Sequence, residues 1–210
     1  FSAMDINLES AANLIAEIIT GSKFDDQCMI HELLRQAIVW MEQNIIDSGS
    51  GYAMTRIAAG HSAQGVVREC TGGFTYFQRL KTLEKNFQRY AAEFSRELAA
   101  LSKEIFAKNR LTISITGTND NAEAILENAV ICVLPVSRQK ETVCSIRPWS
   151  KRREGIVIPA DVSFTAMGGN LLQYGGAYNG SLQVLSRIVS LSYLWNVIRA
   201  QGGAYGTGLS

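Results

Sequence analysis

Between Phe87 and Ile105 the residues Phe87, Tyr90, Ala91, Phe94, Leu98, Leu101 and Ile105 recur at spacings of three and four. That period brings apolar side chains onto one face of an α-helix. A seam of this length needs a facing apolar surface, so the chain must pack helices against one another. The same period returns upstream. Asp5 or Asn7 can cap a first helix with the stripe Leu8, Ala11, Ala12, Ile15, Ile18 and Ile19, ended by Gly21. Asp25 and Asp26 supply cap and dipole-compatible charge for a second, which carries Ile30, Leu33, Leu34, Ala37, Ile38, Met41 and Ile45. Asp47 to Gly51 breaks it. Tyr52 to Cys70 is helix-compatible but interrupted by Gly60 and Gly65, and Thr71-Gly72-Gly73 is a stop before Phe74, Phe77 and Leu80 open another helical run.

Beyond Asn109 the pattern changes. Leu111 to Thr116 alternates strictly between apolar and polar, which predicts a half-buried strand. Gly117 to Asp120 reads as a turn and cap for a helix with Ile125, Leu126, Ala129, Val130 and Val133, closed by Pro135. From Val136 to Gly155 no apolar period remains, and Arg138, Lys140, Arg147, Lys151, Arg152 and Arg153 face only Glu141 and Glu154. A solvated linker between two domains is favoured over a nucleic-acid or acidic-ligand patch, because Trp149 alone interleaves the charges. Ile156 to Ile158 and Val162 to Met167 then read as strands ahead of the glycine pairs Gly168-Gly169 and Gly175-Gly176. The expected organisation is residues 1–135 helix-rich, 136–155 linker and 156–210 a second domain, in an α+β fold.

In that last part, Leu182, Leu185, Ile188, Val189, Leu191, Trp195 and Ile198 predict a helix with apolar residues on more than one face, and hence a largely buried one. Gly202-Gly203 must stop it, since paired glycines supply the positive φ that a helix end often needs. Arg199 therefore falls in the last turn, where a cation complements the helix dipole, and Tyr205 falls just past the turn. A guanidinium with its fork of donors and a neutral phenol can together hold carbonyl oxygens and a developing oxyanion. Spacing alone favours the plainer reading of an exposed Arg and a packing Tyr.

The totals exclude several classes. A formal net charge of +1 over 210 residues gives no global footprint for nucleic acid or an anionic membrane. No apolar run approaches the ~18 residues of a membrane span, and no basic segment followed by an apolar one marks a signal peptide. Cys28, Cys70, Cys132 and Cys144 are scattered without C-x-x-C spacing, which argues against a disulfide framework or a zinc knuckle. Cys28 and Cys132 read as small buried thiols, and a reducing compartment, cytosol or organelle matrix, suits them. His31-Glu32 would need a second histidine where Arg35 stands, H-x-x-E-H is absent, and His61 is the other histidine of the chain. His31 therefore reads as a surface or satisfied helix histidine. The Gly202 to Gly208 stretch lacks G-K-[ST] and follows a helix where a phosphate loop would open one, and no G-x-S-x-G is present. Phe1-Ser2-Ala3 leads straight into a helix pattern and Gly208-Leu209-Ser210 ends in a loop, so a piece of a longer protein is expected.

The run Tyr193-Leu-Trp-Asn-Val-Ile-Arg199-Ala-Gln-Gly-Gly-Ala-Tyr205-Gly206 closely resembles the Arg and Tyr motif in the C-terminal half of the pitrilysin-type zinc metallopeptidases (inverzincins), in particular their presequence-protease branch. Phe24-Asp25-Asp26, Gly60-His61-Ser62-Ala63, Gly72-Gly73-Phe74-Thr75-Tyr76 and the Leu111 to Gly117 segment resemble the same branch in the same order. The resemblance implies an antiparallel sheet packed by helices, with residues 1–135 in a penultimate domain and 156–210 opening a final one. It also implies two homologous halves closing around a chamber, with zinc held by H-x-x-E-H in the N-terminal half and no metal ligand here. In that picture Arg199 and Tyr205 are catalytic: they bind substrate backbone and help stabilise the tetrahedral intermediate. Gly202, Gly203 and Ala204 line the substrate. The implied partners are the zinc-binding half of the same parent chain and unstructured peptides, with no nucleic acid and no membrane. Alone, this piece is expected neither to bind catalytic zinc nor to hydrolyse peptides. The competing reading is a non-catalytic relative kept for assembly or substrate presentation, and the retention of both Arg199 and Tyr205 favours the enzyme.

Overall fold

Helices follow one another from Leu8 to Ile105 with short breaks: α1 (Leu8–Gly21), α2 (Gln27–Asp47), α3 (Gly49–Ala59), α4 (Ala63–Gly72), α5 (Phe74–Lys85) and α6 (Phe87–Ile105). The computed structural model describes residues 2–118, 120–121, 123, 134–137, 144–150 and 153–210. The chain divides into two compact units, Phe1–Ala166 and Met167–Ser210. The helix expected around Ile125 to Val133 lies outside the described residues, as do Cys132 and, of the charged run, Arg138, Lys140, Glu141, Lys151 and Arg152.

Local chemistry accounts for most boundaries of the first unit. The Asp26 carboxylate accepts a hydrogen bond from the Met29 N–H (2.9 Å), so α2 starts where an N-cap is expected. α1 is preceded by a 3₁₀ turn, Asp5–Asn7, and neither Asp5 nor Asn7 caps it through its side chain. On α2, Leu34, Ile38, Met41 and Ile45 form one buried line facing Phe77 of α5 and Phe87 and Ala91 of α6. Burying a side chain of this kind contributes about 1.5–3 kcal/mol, so this line is the main cohesive element of the unit. The seam on α6 is covered at Phe87, Ala91 and Phe94, while Leu101 and Ile105 are exposed.

The glycines expected to interrupt the Tyr52 to Cys70 stretch have different roles. Gly60 ends α3, and the Ser62 hydroxyl then accepts from the Gly65 N–H (2.9 Å) to start α4. Gly65 sits inside α4 because a Cβ there would lie 2.1 Å from the Ala58 carbonyl oxygen. α3 and α4 thus approach more closely than a side chain permits. The Asp47 to Gly51 run breaks the helix only at Ser48, and α3 begins at Gly49, whose Cβ position is occupied by the Phe164 ring.

The α+β expectation, with its antiparallel sheet, is overturned: the described residues contain helices and connecting chain, with no strand and no sheet. Alternation makes a strand only when a neighbouring ladder takes up its N–H and C=O groups. Residues 111–116 have no such ladder among the described residues and are mostly exposed. Of the other two expected strands, Ile158 packs against the helical core and Phe164 against Gly49, so this chain serves as a cover for helices.

The second unit holds a 3₁₀ turn, Leu171–Tyr174, closed by Gly175 at φ 75°, and then α7 (Ser181–Ile188), which continues as a π-helical stretch, Val189–Gln201. The helix occupies the expected place, but the expectation of burial fails. None of its residues is buried, and Leu185, Ile188 and Leu191 are exposed, because this unit has no second helical layer to cover them.

Candidate active-site residues

The π-helical stretch ends as its glycines require. Gly203 takes φ 74°, its N–H donates to the Arg199 carbonyl (3.0 Å), and the Ala204 N–H donates to the Ile198 carbonyl (3.2 Å). These bonds satisfy carbonyls left open at a helix end. Gly202 is the C-cap residue, and a Cβ on it would lie 2.6 Å from the Ile198 carbonyl oxygen. Beyond Tyr205 the chain turns back on its own helix: the Leu209 N–H donates to the Ser190 hydroxyl (3.0 Å), and the Ser186 hydroxyl donates to the Leu209 carbonyl. Tyr205 therefore stands on a loop anchored at both ends.

Arg199 and Tyr205 are brought together, though not through their side-chain tips. The Arg199 Nε donates to the Tyr205 backbone carbonyl (2.9 Å), and the guanidinium lies over the Trp195 ring, 3.9 Å from its centroid. That arrangement leaves the two terminal nitrogens of the fork without a protein partner among the described residues. The Tyr205 side chain is 96% exposed. Residues 167–210 contain Arg187 and Arg199 and no Asp or Glu, so no carboxylate of this unit neutralises the cation. A permanent cation with open donors beside an exposed phenol, on a side-chain-poor turn, can receive carbonyl oxygens or a carboxylate.

Other candidates resolve into structure. His31 stacks on Phe87 (centroids 4.3 Å apart, planes 6° from parallel), with Nε2 3.4 Å from Glu84 Oε1. Arg35 Nε donates to the same Glu84 oxygen (3.1 Å), and this bond, ahead of His31, lowers the Glu84 pKa. His31 thus belongs to a helix–helix contact. Cys28, expected as a buried thiol, is exposed. Among the described residues no three His, Cys, Asp or Glu side chains are grouped so as to hold a metal ion, so the zinc implied by the resemblance does not fit this set of residues. No helix among the described residues is long and apolar enough to cross a membrane.

Two features escaped the sequence. Trp195 read as one more apolar helix residue, although its place four positions before Arg199 on the same helix is a usable sign of a side-chain pair. The other is a polar node around Arg56 in the first unit. Arg56 makes a fork on Glu154 (Nε–Oε2 2.8 Å, Nη2–Oε1 3.1 Å), and its Nη1 donates to Glu69 Oε1 (3.0 Å) and to the Thr75 hydroxyl (2.6 Å). The guanidinium lies 5.2 Å from the Trp149 ring centroid, and the Trp149 N–H donates to the Ala59 carbonyl (2.8 Å). Glu69 is fully buried, and the hydrogen bonds that Arg56 donates to Glu154, opposed by burial, push the Arg56 pKa further up. With partners around its whole fork, Arg56 fastens Trp149 and Glu154 onto α3.

Comparison with known proteins places both parts of the chain. Residues 1–83 match the family described as peptidase-associated, of subfamily C in metallopeptidase family 16, and residues 153–209 match the PreP C-terminal domain. Protein HypA of Clostridium perfringens is 28% identical over 209 residues, covering 98% of this chain and 21% of that protein. Presequence protease 1, chloroplastic/mitochondrial, of Arabidopsis thaliana is 28% identical over 196 residues, covering 92% of this chain and 18% of that protein. The mitochondrial presequence protease of Drosophila melanogaster is 22% identical over 208 residues, covering 98% and 20%. The chain thus spans about a fifth of the length of the curated relatives it matches.

Proposed function

We propose, for a chain that belongs to the pitrilysin-type peptidase family in its presequence-protease-like branch, that it supplies substrate-holding donors to a peptide hydrolase whose metal-binding half lies elsewhere in the parent protein. Arg199 and Tyr205 are the donors. Arg199 holds the backbone carbonyl of an extended peptide through its terminal nitrogens, and the Tyr205 hydroxyl donates to the oxygen on which negative charge develops. Gly202, Gly203 and Ala204 keep the turn free of large side chains, so the peptide can approach the backbone. The zinc that the resemblance implies is assigned to the other half, and the roles of Arg199 and Tyr205 do not run through it. Unstructured peptides within a closed chamber are the proposed substrates, in the cytosol or an organelle matrix.

The observation that carries this reading is the state of Arg199. It is fixed by Trp195 and by the Tyr205 carbonyl, without a carboxylate in its unit, beside an exposed phenol. A structural arginine would have its fork filled. The test is Tyr205→Phe in the full-length protein. Loss of one such donor lowers kcat by about 100-fold or more, with KM little changed. An unchanged kcat/KM would remove the role assigned to the hydroxyl. Full-length protein that binds peptides without cleaving them would instead support the non-catalytic, substrate-presenting alternative.

A further inference from the structure

Arg199 has a long side chain that, free in solvent, would sample many rotamers, and holding it in one costs conformational entropy. Two contacts hold it here. The Tyr205 carbonyl takes the Nε hydrogen, which fixes the azimuth of the fork, and the Trp195 ring lies under the guanidinium plane at 3.9 Å. Trp195 is 44% exposed, so its ring is not committed to a core. Indole is the strongest of the aromatic partners for a cation, and stacking covers a face of the guanidinium while its donors, which lie in the plane at the edge, stay open. No Asp or Glu of residues 167–210 competes for the cation.

We propose that Trp195 is a positioning residue for Arg199: its ring holds the guanidinium flat, so that the two terminal nitrogens point outward together and receive a peptide carbonyl without first having to be ordered. The inference rests on the substrate-holding role proposed for Arg199. Trp195 touches no reacting atom. Its contribution is preorganisation, which matters most where the donor must be aligned with developing charge, so its loss acts on kcat more than on KM.

The test is a double-mutant cycle in the full-length protein with Trp195→Leu, Trp195→Phe and Arg199→Met, read as peptide hydrolysis. Trp195→Leu is expected to lower kcat/KM about tenfold, mostly in kcat, at unchanged Tm, and Trp195→Phe to keep most of the activity, since a ring face remains. In the Arg199→Met background the effect of Trp195→Leu should vanish, because there is no cation left to position. An equal loss in both backgrounds, or a loss in Trp195→Phe as large as in Trp195→Leu, overturns the positioning role while leaving that of Arg199 intact. An Arg199→Met variant with wild-type kcat/KM overturns both. Where Trp195→Leu lowers Tm, Trp195→Gln carries the same cycle. In a protein without turnover the cycle is read as the Kd of a fluorescent unstructured peptide, and no peptide binding overturns both readings.

Discussion

Arg56 and Arg199 are the same residue in opposite circumstances. Arg56 meets two carboxylates, a hydroxyl and an indole, and one of its carboxylate partners is buried to 0% exposure. Arg199 meets an indole and one carbonyl, and no acid exists in its unit. The difference separates what holds this protein together from what the protein offers to other molecules. A fork filled on every side joins parts of one chain that are remote in sequence. A fork fixed at one nitrogen and open at two has been oriented without being satisfied.

The comparison breaks first at Arg56. Arg56→Ala leaves Glu69 buried without its cation, and removing one partner of a buried pair costs about 3–5 kcal/mol. Urea unfolding should show that loss, whereas Arg199→Met should stay within about 0.5 kcal/mol, as exposed substitutions usually do. Equal destabilisation by both would erase the distinction. Gly65→Ala comes next. Its Cβ would press on the Ala58 carbonyl from 2.1 Å and push α3, which carries Arg56, away from α4, which carries Glu69. A cost of about 1–3 kcal/mol is expected, and combined with Arg56→Ala it should be less than additive, since both act on one node. The smallest effect belongs to a third arginine, Arg35, which is itself exposed. Its hydrogen bond lowers the Glu84 pKa from 4.5, so the pair adds stability above that pH and loses it as pH falls through the lowered value. Glu84→Gln should therefore flatten the acid side of a Tm-against-pH profile and leave Tm at pH 7 nearly unchanged. A marked Tm loss at pH 7 would mean that surface pairing, and not only the Arg56 node, fastens these helices.

How much of this was readable beforehand follows the distance over which each interaction acts. The Asp26 cap, the stop at Gly21, the α2 stripe and the positive φ at the Gly202-Gly203 turn are decided within a few residues, and the sequence displays them. Residues 111–116 alternate as a strand should, but alternation describes one face of a chain and not the ladder it requires. The Arg56–Glu154 fork spans 98 positions, and no local pattern distinguishes an arginine that will find such a partner from one that will not. The Trp195–Arg199 stack spans four, so it was within reach. It was obscured because the tryptophan also completed an apolar helix pattern. Apolar residues on several faces led to the expectation of burial for Leu182 to Ile198, and that inference mistook a capacity for contact for contact itself.

The π-helical form of Val189–Gln201 bears on how this part of the molecule can change by insertion or deletion. Wider i→i+5 turns take up more residues along the same length of axis than α-turns do. Loss of one residue from the stretch would turn everything after it by about 100° around the axis. Leu209 is tied back to Ser186 and Ser190, upstream of most of that stretch, so the far end of the loop would keep its old bearing while its near end rotated. Arg199 and Tyr205 are six positions apart, yet their mutual bearing is set by the number of residues laid down before either of them.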